Sequence, residues 1–384
     1  MQLLVSATRV VNFAGMLGGG LMQVADSVGG WFRSLRQRVP YLLLKRSQSQ
    51  AAFSPSYAPD EEIVFVQAGV PLPESAPVKP RLHSLQTLGP HGFHRIAYTE
   101  WGDPASPHVV VCVHGFTRNS RDFDVIASRL AEGCRVVCMD VVGRGSSDWL
   151  ENKEDYDFSL YVSDAAALLA RIMASVGADG AAPQIDWIGT SMGGLIGMML
   201  AAKSNSPIRR LVLNDVGPLV PWAALSRLRS LHFSRLRARF KNLDQIETHL
   251  RTVYATFGPL DDAHWDHIVR HSARQLVTGD YVLAYDPGIM SHMRHARNGI
   301  EFGTDFLFGV DLWPVWDRVK CPTLVLRGGV SDLLLRSTSD QMKRRGPGAR
   351  VVEFPGIGHA PWLMADDQID IVREFLLQTT PQRS

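Results

Sequence analysis

The chain of 384 residues lacks several features that mark specialised proteins. Its 40 basic and 38 acidic residues leave a formal net charge of only +2, so no charge excess points to nucleic acid or to an anionic membrane. No internal repeat is evident. With 45% hydrophobic residues, the chain can bury a large core. Composition therefore predicts a globular protein with no nucleic-acid partner.

Cysteine is scarce, and the positions of the cysteines argue against both a disulfide-stabilised protein and a zinc protein. The four cysteines, Cys112, Cys134, Cys138 and Cys321, lie in or beside apolar strand-like segments, and none belongs to a C-x-x-C pair. This pattern argues against a disulfide framework and against a zinc site. We expect buried thiols in a reducing compartment and hence a cytoplasmic protein.

Acidic residues are nearly absent from the amino-terminal segment. Residues 1–59 contain one acidic residue, Asp26, and an apolar patch at 16–24 that falls short of the roughly 20 apolar residues of a membrane helix. No clear signal-peptide cleavage site follows this patch. We expect residues 1–80 to be an extension that ends in a Pro-rich linker at 71–80. Organelle targeting or association with a membrane surface stays open.

From residue 81 onward, strand-like and helix-like segments alternate. The segment at 108–113, H-V-V-V-C-V, is typical of a central strand buried on both faces. The alternation predicts an α/β fold on a mostly parallel sheet. The predicted strands lie at 92–101, 108–113, 134–139, 184–188, 210–213, 323–326 and 350–354, and predicted helices include 123–131, 160–176, 192–203 and 367–377.

Residues 185–194, I-D-W-I-G-T-S-M-G-G, predict a buried strand that turns sharply into a helix at Ser191. Such a turn lifts a serine hydroxyl clear of the backbone, as a nucleophile requires. Gly189 and Gly193 flank the serine because side chains there would collide with the turn. The pattern is typical of a nucleophile elbow.

Three motifs follow successive predicted strands: His114-Gly115-Phe116-Thr117, then D-V-V-G-R-G-S-S-D at 140–148, then the elbow. In this order they resemble the serine-nucleophile branch of the α/β-hydrolase superfamily, of carboxylesterase or lipase type with a helical cap. The resemblance covers roughly residues 85–380. It implies a core at 81–215 and 319–384, interrupted by a helical cap at 216–318.

The resemblance also implies a Ser-acid-His order of catalytic residues. His359, in the sequence G-H-A-P after the last predicted strand, matches the general base for Ser191. Asp332, on the loop after the strand at 323–326, is the preferred acid. Asp215, after the strand at 210–213, is the alternative, since some members of the superfamily place the acid there.

By the same resemblance, the backbone N–H groups of Phe116 and Met192 form the oxyanion hole. His114 and Gly115 then belong to the loop that holds one of these donors. We expect Asp140 and the turn at 143–147 to act as scaffold.

Within the cap, the sequence predicts one basic amphipathic helix over 222–241, with Arg227 on its polar side. His264, His267 and His271 have a spacing that predicts one helix face, and we expect them to be exposed. No acidic ligand set accompanies them, so no metal is predicted.

The resulting interpretation is a serine hydrolase that needs no cofactor and cleaves small-molecule carboxylic esters through an acyl-enzyme. The alternatives are a carbon-carbon bond hydrolase of ring-cleavage products, a hydroxyalkanoate oligomer hydrolase, or a catalytically silent binding protein. Carbon-carbon bond hydrolases commonly have asparagine where this chain has Thr190, so Thr190 argues against that alternative. The oligomeric state stays open.

Overall fold

The computed structural model of the protein describes residues 79–175, 182–233, 238–290 and 310–377. Most of the predicted amino-terminal extension, residues 1–78, lies outside the described residues. Within the described ranges, no helix combines the length and apolar character needed to cross a membrane.

The described residues form an eight-stranded sheet in the order β1-β2-β4-β3-β5-β6-β11-β12. β1 and β2 pair antiparallel, β2 also runs antiparallel to β4, and the other neighbours are parallel. The predicted α/β fold on a mostly parallel sheet is confirmed. The strands are β1 (Arg81–Gly89), β2 (Gly92–Trp101), β3 (His108–Val113), β4 (Arg135–Met139), β5 (Gln184–Thr190), β6 (Ile208–Asn214), β11 (Thr323–Gly328) and β12 (Arg350–Phe354).

Hydrophobic layers cover both faces of this sheet. In β3, Val109, Val111 and Val113 join the layer on one face, whereas Val110 and Cys112 join the layer on the other. The alternation follows from the period of two in a strand, and it explains why the whole segment is apolar. The core helices are α1 (Asp124–Leu130), α2 (Phe158–Met173), α3 (Met192–Ala201), α8 (Arg336–Met342) and α9 (Asp366–Leu377).

The chain between β6 and β11 forms a cap of helices and short strands. Its own buried cluster includes Ile246, Leu250, Trp265 and Ile268 and extends to Trp362 of the core. The described cap elements are β7 (Leu219–Val220), α4 (Trp222–Phe233), α5 (Leu243–Val253), α6 (Asp262–Ser272), β8 (Ala273–Gln275), β9 (Tyr281–Leu283), β10 (Val310–Asp311) and α7 (Trp313–Trp316).

The predicted single helix over 222–241 is wrong in its extent. α4 ends at Phe233, and Phe240 instead exchanges backbone hydrogen bonds with Tyr281 of β9. Leu225 and Leu228 of α4 do pack against the main core as an amphipathic stripe would. The helical spacing of apolar residues therefore holds within α4, but it does not indicate a helix as far as residue 241. The domain boundaries themselves stay a prediction.

Candidate active site

Ser191 occupies the sharp turn between β5 and α3, with backbone angles φ 51° and ψ −115°. A non-glycine residue at positive φ is strained, and such strain is tolerated where neighbouring structure enforces it. A Cβ atom on Gly189 would overlap the carbonyl of Gly193, and one on Gly193 would overlap the carbonyl of Val113. The two glycines are thus required by backbone packing beneath the turn, and the serine side chain is not what they avoid.

A hydrogen-bonded relay joins three side chains from three strand ends. His359 Nε2 lies 2.9 Å from Ser191 Oγ, and His359 Nδ1 lies 2.7 Å from Asp215 Oδ2. His359 is 6% exposed and Asp215 is fully buried. With Nδ1–H donating to the carboxylate, Nε2 is free to accept the serine proton.

Three hydrogen-bond partners hold the Asp215 side chain in place. Besides His359, it accepts a hydrogen bond from the backbone N–H of Gly328 at 2.7 Å and from the Ser331 hydroxyl at 2.5 Å. Ser331 belongs to the loop after β11, where the acid was expected. That loop therefore orients the carboxylate of the neighbouring strand.

The preference for Asp332 as partner of His359 is corrected by this geometry. The Asp332 side chain is half exposed and forms a bidentate ion pair with Arg227 of α4, at 2.5 and 2.6 Å. The structure brings Ser191, His359 and Asp215 together and directs Asp332 toward the cap. Burial opposes ionisation of Asp332, but the Arg227 guanidinium prevails and lowers the pKa of this carboxyl.

The two residues expected to supply the oxyanion donors both line the cavity that contains Ser191. Met192 is the first residue of α3, so its backbone N–H has no acceptor within the helix. Phe116 follows β3 and lies next to Gly115, whose backbone approaches Ser191. An N–H pair at these positions can bind the oxygen of a tetrahedral intermediate.

His114 connects the loop of Phe116 to the loop after β4. Its Nε2 accepts the backbone N–H of Val141 at 3.0 Å, so Nδ1 carries the proton that it donates to the carbonyl of Gly115 at 2.7 Å. Complete burial, together with the positive charges of Arg144 and Arg118, lowers the pKa of His114 to about 3. The neutral ring is thus part of the framework of the site.

A cavity of about 400 Å³ opens onto Ser191 between the cap and the core. Its walls are mostly apolar, and its size lies within the range of sites for small organic ligands. Three aromatic residues of the lining form one cluster: Tyr254 meets Phe257 and Trp362 edge to face, and Phe257 and Trp362 meet at a tilt. Sequence analysis missed this aromatic wall, because Trp362 lies more than a hundred residues from the other two. The apolar side includes Leu195, Met199, Leu225, Leu228, Ile289 and Leu312.

Arg118 lines the cavity but its charge is balanced. Its guanidinium bonds both carboxylate oxygens of Asp122 and lies over the rings of Tyr254 and Trp362, 5.1 and 5.6 Å from their centroids. The pair gives one end of the cavity a polar character without a net charge.

None of the three histidines of α6 is fully exposed: His267 and His271 lie where the cap meets the core, whereas His264 pairs with Asp261 within the cap. Potential ligand atoms of Asp124, His267 and His271 lie within 4.8 Å of one another. Arg121, however, bonds both oxygens of Asp124, and His267 Nε2 donates to the Arg121 carbonyl at 3.0 Å. Burial, together with the nearby positive charges of Arg121 and Arg118, lowers the pKa of His271 to about 2. The group is a polar contact of cap on core, and the expected lack of a metal stays a prediction.

Comparisons with known proteins identify the family of this chain. The alpha/beta hydrolase family matches residues 110–371. A 3-hydroxybutyrate-oligomer hydrolase from Cupriavidus necator is 41% identical over 300 residues, which cover 77% of this chain and 97% of that protein. An esterase from Mycobacterium tuberculosis is 27% identical over 270 residues, 68% of this chain and 80% of its own.

Among solved structures, an alpha/beta hydrolase from Novosphingobium aromaticivorans superposes with a TM-score of 0.64 at 31% identity, over 78% of this chain and 99% of its own. The predicted resemblance to α/β hydrolases is confirmed by the family match and by this likeness. The prediction of a hydrolase that acts on ester bonds is confirmed as well. The chain belongs to the alpha/beta hydrolase family.

Proposed function

We propose that this enzyme is a serine hydrolase that cleaves the ester bonds of short 3-hydroxyalkanoate oligomers. The observation that carries the proposal is the 41% identity to a 3-hydroxybutyrate-oligomer hydrolase across 97% of that protein. Of the functions weighed from sequence, this alternative has more support than a general carboxylesterase. The apolar cavity beside Ser191 suits a chain of small aliphatic ester units.

The arrangement supports acyl transfer in two steps. Ser191 Oγ attacks the ester carbonyl while His359 takes its proton, and the Phe116 and Met192 N–H groups bind the oxyanion. Collapse of this intermediate breaks the ester C–O bond, and His359 returns the proton to the departing hydroxyl. Water activated by His359 then attacks the acyl-enzyme and releases the carboxylic acid and free Ser191. Asp215 stabilises the imidazolium in both steps.

A product assay tests the proposal directly. Purified protein is incubated with linear 3-hydroxybutyrate dimer and trimer, and released monomer is measured by chromatography beside S191A. We expect release by the wild type and a loss of at least roughly 10³-fold in S191A. Hydrolysis of p-nitrophenyl butyrate without hydrolysis of either oligomer would leave an esterase and overturn the oligomer substrate.

A fluorophosphonate probe separates an enzyme from a silent binding protein. The probe phosphonylates an activated serine, so we expect labelling of the wild type and none of S191A. Absence of labelling in both proteins would overturn the acyl-transfer mechanism.

A further inference from the structure

Arg144 is a buried cation, and no carboxylate among the described residues forms an ion pair with it. It lies between Gly143 and Gly145 in the turn after β4, and it is fully inaccessible to solvent. Among the described residues, four arginines are less than a tenth exposed: Arg118, Arg135, Arg144 and Arg327. The other three pair with Asp122, Glu100 and Glu353, respectively.

Neutral groups surround the Arg144 guanidinium. Nη1 donates to the Val142 carbonyl at 2.8 Å and to the Tyr161 hydroxyl at 3.0 Å. The rings of Phe116 and Tyr161 stack on the cation, with centroids 5.1 and 4.9 Å away. Hydrogen bonds and ring faces moderate the cost of burying this charge, but no described carboxylate lies within ion-pair distance of it.

The same guanidinium contacts both residues that offer the oxyanion donors. Nε donates to the Phe116 carbonyl at 2.9 Å, and Nη2 approaches Met192 Sδ at 3.8 Å. The first contact sets the orientation of the Phe116 backbone, and the second touches the first residue of α3. One rigid, permanently charged group therefore spans the two sides of the oxyanion hole.

We propose that Arg144 is a positioning residue for the oxyanion hole and that its unpaired charge favours the oxyanion formed there. Substrate esters are neutral, whereas the tetrahedral intermediate is negative. A fixed positive charge in a dry environment therefore lowers the barrier more than it strengthens substrate binding. The inference rests on the proposed acyl transfer at Ser191.

The test compares R144M and R144K with the wild type. R144M removes the charge at similar length, whereas R144K keeps the charge but loses the fork that bonds Phe116. With p-nitrophenyl butyrate we expect kcat to fall roughly 10–100-fold in R144M while KM changes less than about threefold. R144K should retain part of the rate.

Butylboronic acid provides a readout that a purely structural role would not change. Its boron takes up the Ser191 oxygen, the serine proton passes to His359, and a tetrahedral borate anion forms in the oxyanion hole. We expect its affinity for R144M to fall by about the same factor as kcat. Binding of uncharged butyl butyrate to the double variant S191A/R144M should match its binding to S191A.

R135M is the matched control, because Arg135 on β4 is also buried but pairs with Glu100 on β2. We expect R135M to lower the melting temperature and to leave kcat and boronate affinity of the folded enzyme unchanged. Unchanged kcat in folded R144M, or a lower kcat with unchanged boronate affinity, would overturn the role of Arg144. Wild-type turnover that does not depend on Ser191 would instead overturn the proposed function. If R144M does not fold, kcat and boronate affinity are measured for R144K. A parallel loss in both supports the role of Arg144, and no loss in either overturns it.

Discussion

At the scale of residues, Asp215 and Asp332 show how similar two carboxylates can be in sequence and how different in space. Each follows a parallel strand, and β6 and β11 are neighbours in the sheet. Both carboxylates therefore lie near the edge where His359 arrives. They differ in burial and in partner: the buried Asp215 bonds the His359 imidazole, while the half-exposed Asp332 pairs with Arg227.

Substitution of each aspartate by asparagine tests this assignment. D215N leaves His359 without a carboxylate to hold its tautomer, so we expect kcat to fall by roughly 10³–10⁴-fold. D332N removes a half-exposed ion pair, and its kcat should stay within about threefold of the wild type. Steady-state hydrolysis of p-nitrophenyl butyrate gives both values. A larger loss in D332N than in D215N would reverse the assignment.

Burial of His114 predicts an acid-sensitive contribution to stability. Its pKa is about 3 in the folded protein, below its ordinary value of 6.5. As the pH falls from about 6.5 toward 3, the unfolded chain takes up this proton first, so folding stability is lost over that window. In H114Q this loss should be smaller by an amount on the order of a few kcal/mol. Urea unfolding at pH 7.5 and pH 5 measures the difference, and equal acid losses in the two proteins would contradict it.

At the scale of elements, the strand-turn-helix unit of β5 and α3 depends on glycines that no other residue can replace. A Cβ on Gly189 would overlap the Gly193 backbone, whereas a Cβ on Gly133 would only make ordinary contact, 3.5 Å from the Leu377 side chain. These two glycines therefore form a matched pair for testing the turn.

We expect G189A to lose at least about 1–3 kcal/mol of stability, because backbone atoms must move to relieve the overlap. Displacement of Ser191 should also slow labelling by a fluorophosphonate. G133A should change the stability by less than about 0.5 kcal/mol. Thermal unfolding and labelling rates check both variants, and a neutral G189A would refute the packing argument.

Sequence patterns predicted most of the core strands but not β1. β1 escaped prediction because most of its side chains are exposed, so it has no apolar alternation to reveal it. The end of α4 was missed for a different reason. In the sequence, Leu236 and Phe240 continue the helical spacing, but Phe240 is buried in the cap cluster while its backbone pairs with Tyr281. Periodicity reports burial, and a buried residue need not be helical.

At the scale of the whole molecule, the cap and the core together define the space for substrate. Leu225 and Leu228 of the cap helix α4 line the cavity together with residues of the core. Since the proposed substrates differ in the number of ester units, the depth of this space should set the preferred length.

L228F should shorten the preferred oligomer. The larger ring reduces the cavity, so we expect kcat/KM for the 3-hydroxybutyrate trimer to fall at least about tenfold more than that for the dimer. V277F is the control, because Val277 is exposed on the cap and does not line the cavity. An equal loss of kcat/KM for dimer and trimer in L228F would show that Leu228 does not select for substrate length.

Free and mostly buried cysteines agree with the expectation of core thiols. The cytoplasmic location stays a prediction, since no described contact bears on it. Assembly into oligomers likewise remains open to measurement by light scattering.

The sequence alone predicts the fold class from its alternating segments, and glycines next to strands mark Ser191 and His359 as candidate nucleophile and base. The tertiary structure brings Asp215 to His359 and pairs Asp332 with Arg227. It also places Arg144 against Phe116 and Met192 and shows which aromatic residues line the cavity. These features depend on the direction of side chains from distant segments, and no local pattern encodes that direction. Ten consecutive residues were enough to predict the turn at Ser191, but the contacts of Ser191 with His359, and of His359 with Asp215, are visible only in the folded sheet.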